Sequence, residues 1–226
     1  MGWRADRNLA ADRARMVERQ LRRRGIADPR VLEAMAYVPR ERFVPAGERR
    51  RAYADSALPI GHGQTISQPW IVATICEALE LSGSERVLEI GTGSGYSACV
   101  LSRLAAEVVT IERVAELARA AEGTLADLGV ANVEVIVGDG SLGAPDRPPF
   151  DAIAVHATAP SPPHTLLGQL APGGRLVVPI AERRVDMLTL FRRPPETGGA
   201  GDEELERRAI APCRFVPLIG DEGFQG

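Results

Sequence analysis

A glycine-rich turn stands between a short apolar segment and a helical pattern near the middle of the chain. Residues 86–90, Arg-Val-Leu-Glu-Ile, have the composition of a buried strand, and the helical pattern starts at Tyr96. Between them, glycines occupy every second position: Gly91, Gly93 and Gly95. Such a turn brings bare backbone amides and a helix N-terminus to one edge of a sheet, where they bind part of a nucleotide-like ligand.

The spacing of these glycines separates two kinds of nucleotide site. The dinucleotide fingerprint is G-x-G-x-x-G, in which the glycines allow close approach of a pyrophosphate. Here the order is E-x-G-x-G-x-G, and Glu89 precedes the glycines inside the strand. The chain therefore departs from the dinucleotide pattern.

Acidic residues also mark the ends of two later strand candidates. Glu112 closes the strand predicted over residues 108–112, and a carboxylate there can accept hydrogen bonds from both hydroxyls of a ribose. Gly138-Asp139-Gly140 follows the strand predicted over residues 133–137. Each feature is common by itself, but three in order at the carboxyl ends of strands favour a nucleoside-binding edge.

A segment before the glycine turn carries the hydroxyl groups that could act on a substrate. Residues 63–69 read Gly-Gln-Thr-Ile-Ser-Gln-Pro and precede a helix predicted over residues 68–81. Ser67 has the residue type and position of a helix N-cap, and Thr65 suits a loop hydroxyl. On residue type alone, capping is the favoured role of Ser67 and catalysis is the alternative.

Composition excludes several classes of enzyme. All 27 basic residues are arginine, so the chain lacks the lysine that P-loop and pyridoxal enzymes require. The formal net charge of −3 gives no general attraction to nucleic acid. Three cysteines without a C-x-x-C pair indicate reduced thiols in a cytoplasmic protein, and we expect neither a disulfide nor a zinc site: Cys76, Cys99 and Cys213.

Two further patterns limit the expected partners. No apolar run approaches membrane-spanning length and the first residues lack the apolar segment of a secretion signal, so we expect no membrane association. The three histidines have no metal-ligand spacing, and no metal is expected. Of these histidines, His156 ends a predicted strand, and we expect it to be hydrogen-bonded at the rim of the pocket.

The order of predicted elements indicates the fold class. Strands and helices alternate between residues 86 and 179, which predicts an α/β fold with a doubly wound, mostly parallel, Rossmann-like sheet and right-handed crossovers. Helices precede this region, the first ending at Gly25 and the second capped by Asp28. Strands predicted over residues 187–191 and 205–211 extend the sheet, and the Pro/Gly-rich tract 192–202 between them is predicted to be a mobile surface loop.

We expect the whole chain, residues 1–226, to form one domain. Its three parts are an N-terminal helical and active-site segment at residues 1–81, a cofactor-binding core at 82–180, and C-terminal strands with a substrate clamp at 181–226.

Nearly the whole chain resembles the protein-L-isoaspartate (D-aspartate) O-methyltransferase family of class I S-adenosylmethionine-dependent methyltransferases. The E-x-G-x-G-x-G run is similar to the first motif of that class, and Gln64-Thr-Ile-Ser-Gln-Pro69 is highly specific to the family. Further matches lie between about residue 16 and residue 220: Val38-Pro-Arg-Glu-Arg-Phe-Val-Pro45, Pro149-Phe-Asp-Ala-Ile153, Pro172-Gly-Gly-Arg-Leu-Val177 and Phe215-Val-Pro-Leu218.

This resemblance implies a reaction, a cofactor and a set of site residues. The reaction is methyl transfer from S-adenosylmethionine to the α-carboxylate of L-isoaspartyl residues in damaged proteins, with S-adenosylhomocysteine as product. Ser67 is implied as the catalytic residue, and it shares the substrate site with Phe215, Val216 and Pro217. The implied cofactor-binding residues are Thr65, Ile66, Glu89, Gly91, Gly93, Gly95, Glu112, Gly138 and Asp139. The expected partners are isoaspartyl peptides and proteins, and the expected state is a monomer.

Other functions remain open on the sequence alone. A carboxyl methyltransferase of the same fold could act on a dedicated peptide during natural-product maturation. A catalytically silent cofactor-binding module is disfavoured because both the glycine turn and the Ser67 segment are intact. A nicotinamide oxidoreductase is disfavoured further by the glycine spacing and the missing lysine.

Overall fold

A computed structural model describes residues 3–195 and 205–225, and within them a seven-stranded sheet forms the centre of the fold. The chain enters the sheet after α1 (Trp3–Met16), α2 (Pro29–Tyr37), a hairpin of β1 (Leu58–Gly61) and β2 (Gln64–Ile66), and α3 (Pro69–Ala78). The sheet strands and their connecting helices then follow in chain order: β3 (Arg86–Ile90), α4 (Tyr96–Leu101), β4 (Glu107–Glu112), α5 (Ala115–Asp127), β5 (Val133–Val137), β6 (Phe150–Val155), α6 (His164–Gly168), β7 (Leu170–Ile180), β8 (Asp186–Arg192) and β9 (Glu206–Cys213).

The strand order confirms the predicted doubly wound, mostly parallel sheet. The order across the sheet is β5-β4-β3-β6-β7-β8-β9. The pairs from β5 to β7 are parallel, and the last two, β7 with β8 and β8 with β9, are antiparallel. The antiparallel strands are the predicted C-terminal extension.

The direction of winding reverses between β3 and β6, which are neighbours in the sheet but far apart in sequence. From β3 the chain proceeds outward to β4 and β5, and from β6 it proceeds the other way to β7. In open α/β sheets, ligands bind at the carboxyl ends of strands where the order reverses. Here that point is the edge beyond Ile90 and Val155.

Both faces of the parallel strands are covered, as their nearly continuous apolar sequences require. Two consecutive residues of β3, Val87 and Leu88, belong to separate apolar clusters, and both are fully buried. The cluster around Val87 includes residues of α2, α3 and α4, and the cluster around Leu88 includes residues of α6. The sheet therefore separates two cores and holds the strand ends at fixed positions.

The N-terminal helix follows the predicted pattern but is not uniform. After α1 the chain forms one π-helical turn over Val17–Leu21 and a 3₁₀ turn over Arg22–Arg24. It ends at Gly25, whose φ of 97° is readily adopted only by glycine. The next helix, α2, is capped as predicted, because the Asp28 side chain accepts hydrogen bonds from the backbone N–H groups of Arg30 and Val31.

Part of the predicted loop at residues 192–202 lies outside the described residues, which stop at residue 195 and resume at residue 205. The described helices include none with the length and apolar content needed to cross a membrane.

Candidate active site at the carboxyl edge of the sheet

The glycine turn after β3 has a backbone that depends on its glycines. Gly91, Gly93 and Gly95 all have positive φ angles, of 91°, 53° and 86°. A Cβ atom on Gly95 would lie 3.1 Å from the Cβ of Ala121, so the bare glycine also lets α4 pack closely against α5. The turn therefore leaves backbone N–H groups at the edge of the sheet without covering side chains.

Glu112, at the end of β4, lies beside this turn and is almost fully buried. Its Oε2 atom accepts a hydrogen bond of 2.8 Å from the Gly93 N–H, and its Oε1 atom accepts one of 2.9 Å from the Val114 N–H. Each carboxylate oxygen has a second lone pair. The side chain is thus fixed in place and can still accept hydrogen bonds from two ligand hydroxyls.

A cavity, called here the first cavity, lies between the glycine turn and the segment before α3. Its wall includes Glu112, the turn residues Gly91 and Gly93, and the β2 residues Thr65 and Ile66. Apolar side chains complete it: Val72, Ile90, Ile111, Val216 and Leu218. The first cavity therefore combines bare amides and one carboxylate with apolar walls, as small-molecule sites commonly do.

A second cavity adjoins the first. Its wall includes Trp70 and Ile71 of α3, Cys213 of β9 and Phe215. Four residues line both cavities: Thr65, Ser67, His156 and Val216. We call these four residues the junction. A group bound in one cavity would meet a group bound in the other at this point.

Ser67 is at the junction, and it does not cap α3, the role that its residue type alone favoured. Helix α3 begins at Pro69, its N-cap residue is Gln68, and no side chain caps it. The Ser67 hydroxyl makes no hydrogen bond within the described residues. The backbone carbonyl of Ser67, in contrast, accepts a hydrogen bond of 2.7 Å from Nη2 of Arg40. The backbone of Ser67 is therefore held while its hydroxyl is free.

Arg40, which holds Ser67, is fully buried. Its Nε atom donates to the carbonyl of Ala52 at 2.7 Å, and its guanidinium lies 4.8 Å from the ring centroid of Tyr96. Burial lowers the pKa of the Arg40 guanidinium from its ordinary value. The sequence resemblance included Arg40, but no sequence signal indicated that it supports Ser67.

The C-terminal segment reaches the site along the loop after β6. The Thr158 N–H donates to the Val216 carbonyl and the Leu218 N–H donates to the Thr158 carbonyl, both at 2.8 Å. This pairing places Val216 and Pro217 in the wall of the first cavity and Phe215 in the wall of the second. The predicted substrate residues 215–217 therefore line the same cavities as Ser67, although they lie far from it in sequence.

Glu89, which was predicted to bind the cofactor, is buried behind the cavity walls. Its side chain has no exposed surface and does not line either cavity, and its contact with the cofactor stays a prediction. Its Oε2 atom accepts a hydrogen bond of 2.6 Å from the Thr110 hydroxyl. Its Oε1 atom lies 3.3 Å from Nε2 of His156. Glu89 therefore lies beneath the site and faces a junction residue.

His156 is hydrogen-bonded at the pocket, as the sequence led us to expect. Its Nε2 atom lies 2.8 Å from the Ser97 hydroxyl, and its backbone N–H donates to the carbonyl of Ile90 at 2.8 Å. Only 7% of its side chain is exposed, and that part faces the junction. Ser97 was not recognised from the sequence, because a serine inside a helix carries no distinguishing pattern.

Asp139 has both carboxylate oxygens occupied by protein donors. Oδ1 accepts from the N–H and hydroxyl of Ser141, and Oδ2 accepts from the Asp221 N–H at 2.7 Å. Partial burial raises the pKa of Asp139, but the hydrogen bonds from Asp221 and Ser141 outweigh it, so the pKa lies below its ordinary value. Asp139 is not among the residues that line the first cavity, whereas its neighbour Gly140 is. The contact expected between Asp139 and the adenine stays a prediction.

Most of the predicted site residues line the first cavity, and two of the predicted glycines do not. Those in the wall of the first cavity are Thr65, Ile66, Ser67, Gly91, Gly93, Glu112, Val216 and Pro217. Gly95 and Gly138 lie outside the wall. Gly95 acts through the packing of α4, as described above. Residues 218 and 219 are wall residues that the sequence analysis did not assign to the site.

Comparison with known proteins agrees with this arrangement. The sequence model of protein-L-isoaspartate(D-aspartate) O-methyltransferases matches residues 12–223. Protein-L-isoaspartate O-methyltransferase 1 of Rhodopseudomonas palustris (strain HaA2) is 53% identical, over 96% of this chain and 86% of that protein. The protein-L-isoaspartate O-methyltransferase of Koribacter versatilis (strain Ellin345) is 52% identical, over 96% of this chain and 94% of that protein.

Two solved structures extend the comparison to three dimensions. A protein-L-isoaspartate O-methyltransferase superposes with a TM-score of 0.82 and 31% identity, over 93% of this chain and 67% of that chain. A Plasmodium falciparum structure described as the same enzyme, in complex with S-adenosyl-L-homocysteine, gives a TM-score of 0.76 and 25% identity, over 92% and 98% of the chains. The family match over nearly the whole sequence, together with the same fold and the site at its switch point, shows that this chain belongs to the protein-L-isoaspartate(D-aspartate) O-methyltransferase family.

Proposed function

We propose that this protein transfers a methyl group from S-adenosylmethionine to the α-carboxylate of L-isoaspartyl residues in damaged proteins. The observation that carries the proposal is the junction, where Ser67 lines both the first cavity and the second. A methyl donor in the first cavity and a peptide carboxylate in the second would meet there. Family membership supports the same reaction.

The first cavity suits S-adenosylmethionine. Glu112 is fixed by two backbone donors and retains lone pairs for the ribose hydroxyls. The apolar residues Ile90, Ile111 and Leu218 offer surfaces for an adenine ring, and the glycine turn admits the ligand close to the backbone. When bound, S-adenosylmethionine supplies a methyl group activated by its sulfonium.

Methyl transfer to a carboxylate requires the protein mainly to position the two reactants. A peptide α-carboxyl group has a pKa of about 3.3–3.7, so it is already an anion at neutral pH and needs no general base. The task is to hold one carboxylate oxygen in line with the methyl group and to exclude water. Ser67 suits this task because its free hydroxyl can donate to one carboxylate oxygen without removing the charge, while Arg40 fixes its backbone.

The segment 215–217 would bind the other side of the substrate. Its Phe215 ring lies 6.4 Å from the His156 ring, between centroids, and lines the second cavity. The methyl ester formed on an isoaspartyl residue closes to a succinimide without help from the protein, as the main-chain amide nitrogen attacks the ester carbonyl and methanol leaves. Release of the ester therefore completes the enzymatic part of the repair.

A pair of peptides tests the proposal. Purified protein with labelled S-adenosylmethionine is expected to methylate an isoaspartyl peptide and to leave unlabelled the same peptide with normal aspartate. The normal peptide lacks a free α-carboxylate at that residue, since its α-carboxyl group is in the main chain. Equal labelling of both peptides, or of neither while a different peptide is methylated, would overturn the repair function in favour of another carboxyl methyltransferase.

Glu112→Gln is expected to weaken cofactor binding. The amide keeps one acceptor, but its NH₂ group faces a backbone N–H of Gly93 or Val114, so one hydrogen bond becomes a contact between two donors. Hydrogen bonds to charged groups contribute about 1.5–3 kcal/mol, which corresponds to a rise of roughly 10- to 100-fold in the KM for S-adenosylmethionine. Steady-state kinetics measure it, and the KM for the isoaspartyl peptide serves as the internal control. An unchanged KM for S-adenosylmethionine would contradict the role of Glu112.

A further inference from the structure

His156 has one ring nitrogen that the protein does not use. Its Nε2 atom is engaged by Ser97 at 2.8 Å and by Glu89 at 3.3 Å. Its Nδ1 atom has no hydrogen-bond partner within the described residues, and it is not among the buried polar atoms shut off from solvent. Because the exposed part of this side chain faces the junction, Nδ1 is available to a group bound there.

Glu89 lies next to the Nε2 atom of the His156 ring. The carboxylate has no exposed surface, and its Oε1 atom has no hydrogen bond although it lies next to the imidazole. Ser97 and Glu89 thus both lie at the Nε2 edge of the ring, and Nδ1 is the ring nitrogen left for a bound group.

We propose that His156 donates a hydrogen bond from Nδ1 to the α-carboxylate of the substrate, an assignment that rests on the proposed function. When Nε2 accepts a hydrogen bond from the Ser97 hydroxyl, Nδ1 carries a ring proton and presents an N–H group to the junction. A carboxylate there receives a charge-assisted hydrogen bond from His156 and a hydroxyl hydrogen bond from Ser67. His156 is thus a substrate-binding residue that recognises the charge of the carboxylate.

This role differs from general base catalysis. The substrate carboxylate is already ionised at neutral pH, so no proton has to be removed. A hydrogen bond that is present before and during methyl transfer stabilises the bound substrate and the transition state together. Its loss therefore raises the KM for the peptide and leaves kcat nearly unchanged.

Two substitutions of His156 distinguish the contribution of Nδ1 from that of Nε2. Glutamine places its amide nitrogen near the position of Nε2, so His156→Gln keeps contact with Ser97 and Glu89 but loses the donor at the junction. Asparagine places its amide nitrogen near Nδ1, so His156→Asn keeps that donor. Both variants are first compared with the wild type in thermal unfolding and in affinity for S-adenosylhomocysteine, which shows that they fold and bind cofactor.

The measurement is steady-state methylation of an isoaspartyl peptide, together with inhibition by the same peptide carrying an α-carboxamide in place of the α-carboxylate. We expect His156→Gln to raise the KM of the isoaspartyl peptide at least tenfold with kcat within about twofold, since hydrogen bonds to charged groups have effects of this size. His156→Asn is expected to raise it less than about threefold. The inhibition constant of the carboxamide peptide is expected to rise less in His156→Gln than the KM of the isoaspartyl peptide does, since the amide oxygen accepts only a neutral hydrogen bond.

Each other result overturns the assignment in a distinguishable way. An unchanged KM in His156→Gln, or equal losses in both variants, would show that His156 does not bind the carboxylate. Equal weakening of the carboxamide peptide would show that the effect is one of shape and not of charge. A wild-type protein that methylates no isoaspartyl peptide would overturn the proposed function itself, and this assignment with it.

Discussion

Ser67→Ala is expected to lower the turnover of an isoaspartyl peptide by roughly 10- to 100-fold, because it removes the free hydroxyl at the junction. This hydroxyl would hold the attacking oxygen in line with the methyl group, and a misplacement of about 1 Å can lower a rate by about 100-fold. The hydroxyl makes no bond to the described residues and does not cap α3. The affinity for S-adenosylhomocysteine and the thermal unfolding midpoint are therefore expected to stay close to those of the wild type.

Single-turnover kinetics with the isoaspartyl peptide measure the effect of this substitution on methyl transfer directly. Ser67→Thr is the matched control, since it keeps a hydroxyl at the same position and is expected to retain more turnover than alanine. If Ser67→Ala transferred methyl groups at the wild-type rate, Ser67 would be only a part of the cavity wall. If it lost stability instead, the residue would have a structural role that the contacts do not indicate.

Arg40→Met is expected to destabilise the protein by about 2–5 kcal/mol, because it leaves two main-chain carbonyls without their donor. These carbonyls belong to Ala52 and Ser67, and Arg40 is itself fully buried. An unpaired buried acceptor costs about 1–3 kcal/mol, and the total is a large part of the 5–15 kcal/mol by which proteins of this kind are stable. For a chain of this length, a fall of roughly 5–15 °C in the unfolding midpoint follows.

Arg40→Met should also lower the turnover of whatever protein remains folded, since the backbone of Ser67 loses its anchor. Denaturant unfolding and kinetics at a temperature well below the midpoint measure the two effects separately. The matched control is Arg42→Met, two residues away, which removes an exposed ion pair of 3.4 Å with Asp127. Surface pairs of this kind contribute about 0–1 kcal/mol. Equal destabilisation by both substitutions would contradict the role assigned to the buried contacts of Arg40.

The central fold was predictable from the sequence because its signals are local. Buried parallel strands appear in the sequence as short apolar runs, helices show a 3.6-residue pattern of apolar positions, and glycines mark turns. The order of these elements along the chain therefore predicted the doubly wound sheet. The ends of elements were less predictable. Strand β7 covers residues 170–180 because Leu170 already pairs with Phe150 of β6, which the residues before Arg175 do not indicate by their own pattern.

The candidate site was predictable where a residue type fixes its own role. Glycines with positive φ and the acid at the end of β4 form the first cavity as expected. Ser67 was ambiguous, since a serine before a helix suits both capping and catalysis. Only the observed start of α3 at Pro69, with Gln68 as its N-cap, removed the capping role.

The sequence by itself determined the family, the edge of the sheet that would bind the cofactor, and the segment that contains Ser67. Each of these depends on the types and spacing of residues that are close together in the chain. Tertiary structure alone decided which distant groups support them: Arg40 on the carbonyl of Ser67, and Glu89 beneath His156. These contacts join β-strand ends and loops that are far apart in sequence, and they depend on the order of strands across the sheet. Glu89 meets His156 because β3 and β6 are neighbours at the switch point, which no local pattern encodes.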